Sequence, residues 1–144
     1  IFSHREIPKN LILPYIEQWL NNYQCEFTAL LTEDQIDKDI VSQMSEYNIK
    51  IHTLFLSSWE ETSSILETFD LLISVDTAIA HLAGIMNIPC ILLLNKPSDW
   101  RWGIECTKVL FYPSFFVARC NSRGDWPSCL LQVDLFMDSI LKKR

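Results

Sequence analysis

Glycine is scarce in this chain, with three in 144 residues. There is no Walker sequence and no G-x-G-x-x-G, so a nicotinamide-type Rossmann fingerprint is not supported. No low-complexity linker and no internal repeat interrupts the chain, and its length suits one domain over 1–144. No apolar run reaches the ~20 residues of a membrane span, and no signal peptide is visible. Basic residues are few, 12 against 18 acidic ones, for a net charge of −6. They form no stripe, which argues against a nucleic-acid partner. The one basic cluster, Lys142-Lys143-Arg144, is expected to end a final helix, where cations suit the dipole. The five cysteines are odd in number and form no C-x-x-C pair. They read as reduced thiols of a cytosolic protein, with Cys90 inside a buried strand. A zinc site would need His4, His52 or His81 to converge with cysteines, and no spacing suggests it. No metal or cofactor is expected.

What the chain does have is hydrophobic residues, 49% of the total, enough for a real core. The densest stretch is DLLISVDTAIAHLAGIMNIPCILLL, residues 70–94. It reads as a buried strand at Leu71–Val75, a polar turn, a helix Thr77–Met86 of small residues, and a second buried strand at Cys90–Leu94. Pro89 separates helix from strand. Around it, helices are predicted from Leu11 to Leu20, through Ile36, Ile40, Met44 and Tyr47, and from a Ser58–Glu61 capping box to Phe69. Pro14 is tolerable only near a first turn. Strands are predicted at Phe27–Leu31, at Ile49–Phe55 and near Phe115–Ala118. A final helix is capped by Asp125, with Pro127 in its first turn and Leu130, Val133, Met137, Ile140 and Leu141 buried. The aromatic stretch 95–126 is otherwise a long loop. Ile1-Phe2-Ser3 reads as the tail of a strand already under way, and the chain as one piece of a longer protein. The alternation predicts an α/β fold, a Rossmann-like parallel sheet with helices on both faces.

In such a sheet, ligands bind at the carboxyl ends of strands, and a helix N-terminus there attracts phosphate. Asp76 and Thr77 stand at that place, and either also serves as a plain helix cap. His81 lies one turn on, in line with Thr77, able to donate to a phosphate oxygen or sugar hydroxyl, or simply to be a hydrogen-bonded structural histidine. Gly84 extends the same face and lets another group come close, while Ile79, Leu82, Ala83 and Met86 face the core. In the loop after the next strand, Arg101 can grip phosphate in a bidentate manner, and Trp100 or Trp102 can stack on a base or sugar. At least one of the tryptophans is expected to anchor the loop instead. Ser3-His4-Arg5 is a third candidate loop on the same edge. Thr32-Glu33-Asp34 offers a ribose-binding carboxylate or a helix cap. No general base stands out.

The run Asp76-Thr77, Ala80-His81-Leu82-Ala83-Gly84, Asp99-Trp100-Arg101-Trp102, Tyr112-Pro113-Ser114, Arg119 and Gly124-Asp125-Trp126 resembles the heptosyltransferase-like glycosyltransferases. It is most similar to the glycosyltransferase domain attached to bacterial tetratricopeptide-repeat proteins. Arg5-x-Ile7-Pro8 resembles that family's first loop. Ahead of the tyrosine, where the family has Ser-Pro-Trp, this chain has Val109-Leu110-Phe111. The resemblance implies the C-terminal, donor-binding half of a GT-B architecture. It implies a nucleotide-diphosphate-sugar site at Asp76, Thr77, Ala78 and His81, with Trp100, Arg101 and Arg119 beside it. The partners would be the sugar nucleotide and an N-terminal acceptor domain or tetratricopeptide-repeat segment, in the cytoplasm. The alternative reading is a degenerate, non-catalytic Rossmann-like module used for protein interaction. A small flavodoxin-like domain is a weaker third.

Overall fold

The computed structural model describes residues 6–55, 57–103, 108–109 and 111–144. Helix α1 spans Lys9–Asn22 and leads to strand β1, Thr28–Thr32. Helix α2, Lys38–Glu46, leads to β2, Lys50–Leu54, and helix α3, Trp59–Glu67, to β3, Leu72–Val75. Helix α4, Ala78–Ile85, leads to β4, Cys90–Leu94. A long connection then reaches β5, Phe115–Arg119, and α5, Trp126–Ile140, closes the chain. Every strand pairing is parallel, as strand–helix alternation demands.

The α/β reading therefore holds, with one difference in the sheet. Instead of one continuous sheet there are two, β1-β2 and β3-β4-β5. Both lie in one layer, because the same helices cover both. Leu66 of α3 and Ala80 and Ala83 of α4 pack with Cys90, Leu92, Leu94, Phe115 and Val117, and Leu30 of β1 joins this face. On the other face Trp19 of α1 and Cys129, Leu130, Val133 and Met137 of α5 pack on Ile91, Leu93 and Ala118. Leu13 of α1 joins Ile40 and Met44 of α2 against Ala29, Leu31 and Ile51. Burial of all five residues of β4 explains its unbroken apolar run.

Local signals behave as their chemistry dictates. Asp37, Ser58, Thr77 and Asp125 each cap a helix, their side chains accepting from Ile40, Glu61, Ala80 and Ser128 amides. Pro14 falls inside α1 beyond its first turn, because α1 begins at Lys9, ahead of the expected start. Burial of Leu13 and Trp19 on either side holds that turn helical although Pro14 has no N–H to donate. The basic cluster corrects a second expectation. Helix α5 ends at Ile140, and residues 142–144 turn back along the end of α1. Gln24 N–H donates to the Lys142 carbonyl at 2.9 Å, Arg144 N–H to the Asn22 carbonyl at 2.9 Å, and Arg144 Nε to the Leu20 carbonyl at 2.8 Å. The cation thus serves the carboxyl end of α1, where orphan carbonyls need donors.

Burial raises the thiol pKa of Cys90, Cys120, Cys129 and Cys25, most strongly at Cys90 and Cys129. Cys90 and Cys129 are therefore expected to resist alkylation in the native protein, with Cys25, the least buried of these four, reacting first; mass spectrometry of partly alkylated protein checks the order. A folded-state thiol pKa above the unfolded one also makes stability full below about pH 8.5 and lost progressively as pH rises towards the folded values. A urea midpoint that stayed level across that alkaline window would contradict the sign.

Candidate functional site

The turn Ser74–Thr77 connects the carboxyl end of β3 to α4. Strand β3 has apolar neighbours on both faces, and Thr77 then turns the chain by offering its hydroxyl to the Ala80 amide at 3.3 Å. Ser74 Oγ lies 3.1 Å from Thr77 Oγ1 and donates to the Val75 carbonyl at 2.8 Å. These bonds hold the start of α4 against the strand end, with Ala78 as its first helical residue. Asp76 flanks it, its Oδ1 3.7 Å from His81 Nε2.

His81 is held on three sides. Its Nδ1 is 3.1 Å from Tyr112 Oη, and its ring stacks on Trp102 with centroids 4.9 Å apart. The Tyr112 ring meets it edge-on at 5.9 Å. Its side chain still keeps 32% of its surface exposed beside Asp76. The group that Gly84 admits is Tyr112, whose ring carbons lie 2.5–2.7 Å from where a Cβ would stand. Nothing local in the sequence marks Tyr112 as a site residue. The only hint was its place in the Tyr-Pro-Ser motif, because 31 residues separate it from His81.

The two tryptophans divide. Trp102 is the anchor, 3% exposed and stacked against Phe115. Trp100 is 81% exposed. Arg101 is bound in bidentate fashion by Asp99, at 3.0 Å from Nε and from Nη2, and this pairing raises its pKa, with smaller contributions from Asp76 and Tyr112. A phosphate on Arg101 would share or compete for that fork. Arg119 turns to the loop itself, donating to Ser98 Oγ and to the Gly103 and Trp102 carbonyls. It positions the loop that carries Trp100 and Arg101. Thr32–Gln35 forms a short turn closed by the Gln35 side chain accepting from the Thr32 amide at 3.0 Å. Ser3-His4-Arg5 lies outside the described residues.

Asp76, Thr77, His81 and Trp102 thus converge at the carboxyl edge of β3. Comparison with family models, curated proteins and solved structures returns no match. Among the described residues no cluster of histidine, cysteine or carboxylate side chains suits a metal ion, and no helix is long and apolar enough to cross a membrane.

Proposed function

We propose that the carboxyl edge of β3 binds the diphosphate of a nucleotide sugar, and that the chain is the donor-binding half of a GT-B, heptosyltransferase-like glycosyltransferase. The observation that carries this reading is the convergence of Asp76, the capped N-terminus of α4 at Thr77-Ala78, and a partly exposed His81 at one strand end. Backbone N–H groups at that terminus and the helix dipole favour an anion. Held rigidly, they also stabilise charge developing on a departing diphosphate. His81 Nε2, on the side away from Tyr112, donates to a phosphate or sugar oxygen. Trp100 offers a face for a base, and Arg101 a cation. A base to activate the acceptor is expected from a separate acceptor domain.

The test is a titration with UDP, GDP, ADP and CMP followed by amide NMR shifts. One nucleotide is expected to give saturable shifts at Asp76–His81, with at least about a tenfold loss of affinity in His81→Ala, the cost of one charge-assisted hydrogen bond. A folded protein that responds to none of the four overturns the reading.

One observation favours the interaction module instead. Trp100 and Phe111 are 81% and 70% exposed, while Arg101, Arg119 and His81 already have partners within the chain. Nucleotide silence together with loss of a protein contact in Trp100→Ser would establish that alternative.

A further inference from the structure

His81 has two ring nitrogens, and a neutral imidazole carries hydrogen on only one of them. Which one decides what His81 can do at the carboxyl edge of β3. With hydrogen on Nε2, the side chain presents a donor beside the amides of the α4 N-terminus. With hydrogen on Nδ1, it presents a lone pair there, which repels a phosphate oxygen.

The surroundings of the ring choose between the two. Asp76 Oδ1 lies 3.7 Å from Nε2. A carboxylate only accepts, so its charge favours hydrogen on the nitrogen that faces it, although this separation is too long for a direct hydrogen bond. Nδ1 is then left as the acceptor, and the atom beside it is Tyr112 Oη at 3.1 Å. A phenol can donate or accept. Here it meets a lone pair, so it donates.

The fold leaves the Tyr112 hydroxyl little choice of direction. Its ring fills the space beside Gly84 and packs on Phe115 at 4.9 Å. Its carbonyl accepts from the Phe115 amide at 3.0 Å. Two residues on, Ser114 Oγ donates to the Ile88 carbonyl at 3.1 Å, and the Ser114 carbonyl accepts from the Cys90 amide at 3.2 Å. The chain entering β5 is thereby tied to the chain between α4 and β4. Tyr112 is held over α4, one turn in from the helix start.

We propose that Tyr112 is a positioning residue for His81. Its hydroxyl donates to Nδ1 and so keeps His81 in the tautomer whose Nε2–H faces the Asp76 side, where the side chain is still 32% exposed. The use of that N–H, to meet a phosphate or sugar oxygen, rests on the nucleotide-sugar reading, whereas the tautomer does not.

The test is a long-range nitrogen–proton NMR correlation on the ligand-free protein at about pH 8.5, some two units above the ordinary histidine pKa. Carbon-bound ring protons report on both nitrogens, and a nitrogen that carries hydrogen resonates far upfield of one that does not. His81→Gln identifies the His81 signals. The expected result is hydrogen on Nε2, with Nδ1 moved upfield of an unbonded nitrogen by its donor. Tyr112→Phe keeps the ring and its packing, and Nδ1 is expected to move downfield in it. His52, on β2, is the reference and should not change. Hydrogen on Nδ1 in the parent protein overturns the proposal. So do equal His81 nitrogen shifts in the parent and in Tyr112→Phe, the result for a tyrosine that serves packing alone. Should Tyr112→Phe not fold, the parent decides. An upfield Nδ1 beside a hydrogen-bearing Nε2 supports the proposal, and an Nδ1 at its unbonded value overturns it. No nucleotide is present, so this outcome and that of the nucleotide titration are separate.

Discussion

Trp19→Ala is expected to lower the unfolding free energy by about 3–5 kcal/mol, the range for truncating a fully buried aromatic. Trp19 has no exposed surface and lies in the cluster that joins α1 to α5 and the β3–β5 sheet. Its ring stacks on Phe27 at 6.1 Å and tilts against Tyr15 at 5.8 Å. Its Nε1 donates to Asp134 Oδ1 at 2.9 Å. Truncation removes the ring contacts, leaves a cavity and strips a partly buried carboxylate of its donor. Trp19→Phe keeps most of the ring and loses only the N–H, for an expected cost nearer ~1 kcal/mol. Urea unfolding followed by circular dichroism measures both. A loss for Trp19→Ala within about 0.5 kcal/mol, the ordinary range for surface changes, would mean that α1 is not packed as described.

Gly84→Ala is expected to destabilise by about 1–3 kcal/mol, the usual cost of overpacking. Helix propensity works the other way, favouring alanine by up to ~1 kcal/mol. Sterics win because the new Cβ would overlap three carbons of the Tyr112 ring at 2.5–2.7 Å. The ring cannot simply swing away. It packs on Phe115 at 4.9 Å and on Trp102 at 6.1 Å, and its hydroxyl pairs with His81. The substitution should therefore also shift His81 ring resonances. In a double-mutant cycle, Tyr112→Ala should remove most of the penalty, since the overlapping atoms are gone. An additive cycle would show that the cost lies elsewhere.

Much of this was legible in the sequence because it depends on neighbours in the chain. Ser58, Thr77 and Asp125 cap their helices because each acts on amides three residues away. Strand β4 announced itself because an apolar run of that length, ended by Pro89 on one side and polar loop on the other, suits a strand covered on both faces. His81 lies one turn beyond Thr77, its N–H donating to the Thr77 carbonyl at 3.3 Å, because helical spacing alone sets that distance along the chain.

The partners of those side chains were decided only in three dimensions. Arg119 chose carbonyls of the loop near Trp102, and His81 chose a tyrosine from beyond β4. A charged or aromatic residue advertises what it can bind, while its partner depends on which loops the sheet brings together. The basic terminus likewise was predicted to serve its own helix and instead serves α1, because residues 142–144 run back beside Tyr23. The division of the sheet was invisible for the same reason. Alternation of strands and helices determines that strands are parallel and covered on both faces. Which edges meet, and which are left facing a cleft, depends on spatial order, and no local pattern encodes it.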